Sequence, residues 1–143
     1  MTNKQSAENG KRYGMVVQRD RLIALEDGIR LKADLYLPDP CDQPVPALVC
    51  YSPYGKEVQS MALERKALRT GQSMYDQTIE ACDIAYFVEH GYAVVIPSPR
   101  GIGSSEGVNH GFLSEQDQDD CCQVITWGSK QPWSSGAVGM MGT

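Results

Sequence analysis

ALVCY, residues 47–51, is an unbroken apolar run, and its reading decides the fold. A strand with one wet face alternates apolar and polar residues, whereas a continuous run suits a strand covered on both faces, as in a parallel sheet. AVVI, residues 93–96, has the same character. Between the two runs, Val58 to Arg69 has helical composition ending near Gly71, and a second helix is expected from about Tyr75 to His90, with Gly91 closing it. After AVVI come a Gly- and Ser-containing loop and a helix from about Glu115 to Gly128, with Cys121, Val124, Ile125 and Gly128 spaced for one face. A last strand is expected at Ala137–Met141. Strand, helix, strand, helix, strand with buried strands is the pattern of a parallel sheet in a three-layer α/β domain.

Upstream of ALVCY the pattern differs. MVVQRD (15–20), RLIALEDG (21–28) and IRLKADLYLP (29–38) are short extended segments, and Asp27-Gly28 is a hairpin signal. In the third, Leu31, Ala33, Leu35 and Leu37 alternate with Arg30, Lys32, Asp34 and Tyr36, giving a strand with one apolar face. These segments predict an antiparallel edge, followed by a loop over PDPCDQPVP (38–46). Residues 1–12 read as a flexible lead-in and 13–143 as one domain.

With 143 residues, 41% apolar and 22% charged, the composition is that of a globular domain and excludes a disordered or fibrous chain. A net charge of −5, with 13 scattered Lys and Arg, argues against nucleic acid or an anionic membrane as partner. The N-terminus MTNKQSAENGKRYG has no apolar run of the length a signal peptide or membrane span needs, so a cytoplasmic location is expected. Cys41, Cys50, Cys82, Cys121 and Cys122 are odd in number and contain no C-x-x-C, which indicates neither a disulfide framework nor a zinc site. No metal or other cofactor is expected.

A nucleophile elbow is G-x-S-x-G at the point where a buried strand turns directly into a helix. Gly103-Ser104-Ser105-Glu106-Gly107 matches the letters, but Pro97, Pro99 and Arg100 separate it from its strand, and no helix starts after it. Ser105 therefore reads as a turn residue. Gly101 and Gly103 give a G-x-G, but Gly107 is one residue late for a dinucleotide loop. The position that fits an elbow is Gly142-Thr143, which follows the last apolar strand without a gap and supplies G-x, so the nucleophile is expected at the next position.

Four runs then make a collinear set: DGIRLKADLYLPDP (27–40), PALVCYSPYGK (46–56), FVEHGYAVVIPSPRGIGSSEG (87–107) and QPWSSGAVGMMGT (131–143). Together they resemble the front half of the catalytic domain of cocaine-esterase-like and Xaa-Pro dipeptidyl-peptidase-like hydrolases of the CocE/NonD group. The resemblance implies an α/β-hydrolase fold cut before its nucleophile elbow. It also implies a serine hydrolase that cleaves a small-molecule ester, amide or peptide through an acyl-enzyme. In that group Ser-Tyr-x-Gly follows the Gly-x pair, which matches Gly142-Thr143 here. In that group the tyrosine of the motif matching SPYGK gives its phenol hydroxyl to the oxyanion hole and the triad acid and histidine come later in the chain, so the resemblance implies the donor role for Tyr54. Residues 1–143 are accordingly expected to be inactive alone.

Ser98 stands where the group usually has aspartate, which leaves open any ion pair built on that acid, and Gln123 replaces another frequent aspartate. Arg100 is expected to anchor its loop, His90 to cap its helix, His110 to lie in a loop, and Trp127 and Trp133 to belong to the core. Two other readings stand beside the hydrolase. One is a non-catalytic module that binds a partner, or another copy of itself, through an unpaired sheet edge. The other is a nucleotide-binding α/β protein.

Overall fold

Asp27-Gly28 turns the chain as its residue types require: Gly28 takes φ +86°, and the Asp27 carboxylate accepts the Ile29 N–H at 3.1 Å. The turn joins β1 (Gly14–Ala24) to β2 (Arg30–Asp39) in an antiparallel hairpin. The computed structural model describes residues 12–64 and 80–142; the expected lead-in lies almost wholly outside them.

The first two extended segments are in fact one strand. Its register shifts between Gln18 and Arg21, where Asp20 sits at φ 53° and gives its N–H to the Asp34 carboxylate at 3.0 Å. The polar pair Arg19-Asp20 marks a bulge there instead of a break. β2 has the predicted apolar face, but its other face is covered as well: Asp34 and Tyr36 are both fully buried. The loop expected over 38–46 is shorter than predicted, because β2 runs to Asp39 and β3 (Val45–Val49) starts early. Pro46, which has no N–H to give, falls at the register shift between Val45 and Ala47.

β3 pairs in parallel with β4 (Ala93–Pro97) and with β5 (Ser134–Met140). β2 pairs antiparallel with β4, so the sheet order is β1-β2-β4-β3-β5. Every residue of β4 is buried, as its unbroken apolar run requires.

Helix α1 (Lys56–Glu64) starts two residues before the expected Val58, and the rest of that prediction lies outside the described residues. Helix α2 (Ile84–Glu89) is shorter than Tyr75–His90. Part of that span is not described, and Asp83 ends the helix upstream by accepting the Tyr86 N–H at 3.1 Å. Downstream, Gly91 at φ +87° sends its N–H to Val88 O at 3.0 Å, and Tyr92 sends its own to Phe87 O at 3.0 Å, a Schellman ending. Helix α3 (Glu115–Ser129) is capped by Ser114, whose Oγ accepts the Asp117 N–H at 3.2 Å.

Helices cover both faces. On one, Ile23, Leu31, Leu35, Val49 and Val95 pack with Val124 of α3, flanked by half-buried Trp127 and Trp133, as expected of core tryptophans. On the other, Tyr36, Cys50, Cys82, Val94 and Ile96 pack with Ile84 and Val88 of α2. Among the described residues no helix is long and apolar enough to cross a membrane.

Candidate active site

β3, β4 and β5 run parallel and end at the same edge of the sheet. In open α/β sheets the crevice outside the carboxyl ends of the strands is where ligands bind. Val49 pairs with Met140 and the Met141 N–H reaches Val49 O at 3.1 Å, so the Tyr51–Lys56 loop and Met141-Gly142 leave neighbouring strands side by side. Gly142 is exposed at that edge; Thr143 lies outside the described residues.

Tyr54 is held by its backbone and left open at its ring. Its N–H donates to Ser52 Oγ at 3.2 Å, and its carbonyl accepts from Gln59 Nε2 at 3.2 Å. Ser52 and Gln59 are buried, whereas Tyr54 is 46% exposed. The other Gln59 amide atom, Oε1, has no hydrogen-bond partner among the described residues.

Two residues on, Lys56 is only 4% exposed. Its Nζ meets Asp20 at 3.1 Å, Asp34 at 3.0 Å and Glu57 at 3.0 Å, and its N–H donates to Ser98 Oγ at 3.0 Å. Asp34 also accepts from the Arg19 guanidinium at 2.8 Å. Burial by itself lowers the Lys56 pKa, but hydrogen bonds to Glu57, Asp34 and Asp20 outweigh it and raise the value, so the ammonium stays charged. The same contact with Lys56 holds the Asp20 carboxyl below its ordinary value.

The neighbouring loop after β4 is built around a second cation. Arg100 grips Asp120 with two parallel bonds of 2.8 Å and reaches Asp27 at 2.7 Å, which makes it the loop anchor the sequence suggested. Hydrogen bonding to Asp120 outweighs burial and raises its pKa further. Ser98, in place of an acid, serves as an acceptor for α1, while the acids for Arg100 come from Asp120 and Asp27. Ser105 is a staple: its Oγ donates to Ser98 O at 2.7 Å and accepts the Lys32 N–H at 2.9 Å, leaving it no freedom as a nucleophile. Gln123 ties α3 to the hairpin by accepting the Glu26 N–H at 2.8 Å.

His90 Nδ1 lies 2.6 Å from Tyr86 O at the end of α2, as a capping residue should. His110 is exposed in the loop before α3. Among the described residues no cluster of His, Cys, Asp and Glu could hold a metal.

Sequence reasoning missed Asp34, Lys56, Gln59 and Asp120. For Asp120 a signal existed: with Val124 and Gly128 it makes an i, i+4, i+8 stripe on the buried face of α3. Asp34 was visible only as one of the polar residues on the expected wet face of its strand, beside Arg30 and Lys32.

The family model of X-Pro dipeptidyl-peptidase (S15 family) matches residues 27–143. Cocaine esterase of Rhodococcus sp. (strain MB1 Bresler) is 34% identical over 122 residues, which is 85% of this chain and 18% of that protein. A CocE/NonD family hydrolase from Staphylococcus aureus superposes with a TM-score of 0.74 at 28% identity, over 90% of this chain and 23% of that one. An α-amino acid ester hydrolase shares the fold with a TM-score of 0.62 at 24% identity, over 98% of this chain and 24% of its own. The chain thus spans less than a quarter of the length of each of these three relatives.

Proposed function

This chain belongs to the X-Pro dipeptidyl-peptidase (S15) family of hydrolases, and from that premise we propose that residues 13–143 are the part of a serine hydrolase's catalytic domain that carries the oxyanion donor and leads up to the nucleophile. The reaction is cleavage of a small-molecule ester, amide or peptide bond through an acyl-enzyme. The observation that carries this reading is Tyr54. Its backbone is bonded at both N–H and C=O, the residue is nearly half exposed, and its loop leaves β3 beside β5, whose end leads to Gly142.

Attack on an acyl carbon places negative charge on the carbonyl oxygen. A donor already fixed where that charge forms contributes about 3 kcal/mol to lowering the barrier. The Tyr54 phenol is such a donor, and Gly142-Thr143 is the approach to the nucleophile. Ser105 is engaged with Ser98 and Lys32, and His90 with the end of α2, so on this reading residues 1–143 by themselves are expected to turn over no ester.

The test begins with the intact mass of the protein as its source produces it, followed by hydrolysis of p-nitrophenyl acetate by that protein. Turnover that falls about 100-fold in Tyr54→Phe is the expected result. Turnover indifferent to Tyr54→Phe, or turnover by residues 1–143 alone, overturns the reading.

A further inference from the structure

The phenol of Tyr54 is useful only if it stays where the oxyanion forms, and the residue is nearly half exposed. Two residues away, the chain makes an expensive choice: it buries a lysine. A side chain there with a merely structural duty would avoid desolvating an ammonium, since apolar residues fill such space as well or better. Here the cost is met by three carboxylates from three places, Asp20 in the β1 bulge, Asp34 in β2 and Glu57 in α1.

The bulge is shaped to this cluster. Asp20 is held at φ 53°, with its N–H on one Asp34 oxygen at 3.0 Å, while Arg19 holds the other at 2.8 Å. Asp34, fully buried on a strand paired on both sides, is therefore a fixed post. Lys56 ties the start of α1 to it, and Ser98 of the neighbouring strand's loop fastens the Lys56 N–H at 3.0 Å. From α1, Gln59 reaches back to the Tyr54 carbonyl at 3.2 Å. The connected path runs Asp34, Lys56, first turn of α1, Gln59, Tyr54.

We propose that Lys56, anchored on Asp34, is the positioning residue for Tyr54, acting on the reaction through the placement of that phenol and not by touching substrate. The proposal rests on the oxyanion reading of Tyr54. Lys56 is no general base in this role, because its carboxylate partners keep it protonated. A misplacement on the order of 1 Å at a catalytic group is worth as much as 100-fold in rate.

A double-mutant cycle on the source protein, read as kcat and KM for p-nitrophenyl acetate, tests this. Lys56→Met should lower kcat about 10-fold or more with KM changed less than about twofold. In a Tyr54→Phe background the same substitution should cost almost nothing further, since the group it positions has gone. Equal losses in both backgrounds, or an unchanged kcat in Lys56→Met, overturn the proposal while leaving Tyr54 as oxyanion donor. A Tyr54→Phe variant with full kcat overturns both. Should Lys56→Met fail to fold, Asp20→Asn, which removes one of the three carboxylates from the exposed side, takes its place in the cycle with a smaller loss of the same non-additive form.

Discussion

Lys56 and Arg100 are both buried cations ringed by carboxylates, yet they hold different things. Arg100 uses a planar fork, with two parallel bonds to Asp120 and a third contact to Asp27, and so clamps helix α3 to the β1–β2 hairpin. Lys56 is a point charge that gathers Asp20, Asp34 and Glu57 around one atom. The fork fixes direction, which suits the joining of rigid elements. The point charge fixes a position in the chain, which suits the presentation of Tyr54 proposed above. Arg100 is scaffold for the sheet edge, and Lys56 belongs to what the edge displays.

That contrast breaks most readily at Arg100. Arg100→Met strands a fully buried Asp120 that keeps, among the described residues, Gln116 as side-chain partner, and should cost about 3–5 kcal/mol in urea unfolding. Lys56→Met should cost less, because Asp34 keeps Arg19, while losing more activity; the opposite order of stabilities would undo the comparison. Next in size is Arg100→Lys, which keeps the charge but gives up the fork. A loss of about 1–2 kcal/mol in the same assay is expected, and full stability would mean that the parallel geometry is idle.

Acid sharpens the comparison further. Asp20 is held low by Lys56, and Asp27 by Arg100. A carboxyl whose folded pKa is depressed stabilises the fold above its unfolded value near 4 and loses that contribution as pH falls through the folded value. The melting temperature should therefore fall below about pH 4, and each cation-to-Met variant should lose only the part belonging to its own aspartate. On the alkaline side, burial pushes the Cys121 thiol up to about 11. Stability tied to that thiol is present below its unfolded pKa and should decline as pH rises toward 11.

The smallest effect on stability lies away from both clusters. Met140 is 53% exposed on β5, which pairs with β3 alone among the described residues. Met140→Lys should move stability by less than about 0.5 kcal/mol. The alternative expectation of self-association through an unpaired edge predicts that the variant also lowers the concentration-dependent mass seen by light scattering.

Much of this was legible in advance because the signals are local. ALVCY and AVVI announced strands covered on both faces, Gly91 announced a helix end, and the crowding of Ser105 by prolines and by Arg100 exposed the false elbow. Boundaries were less readable. The Asp20 bulge looked like a break between strands because the carboxylate that captures its N–H lies on the next strand, and Asp83 ends α2 sooner than composition suggested. The buried acids stayed hidden for a related reason: an aspartate in a strand or helix reads as a solvated face until its partner is known.

By itself, then, the sequence determined the order of the elements, the two covered strands, the place of Tyr54 after one of them and the family to which the chain belongs, since each rests on runs and motifs of neighbouring residues. Only the tertiary structure decided which acid meets which cation. Arg19 and Asp34 are 15 residues apart and Arg100 and Asp120 are 20, and charges at such separations meet only after register, bulge and helix packing have brought them together. A buried ion pair is a property of that arrangement, because the desolvation that makes it worth having does not exist in the extended chain.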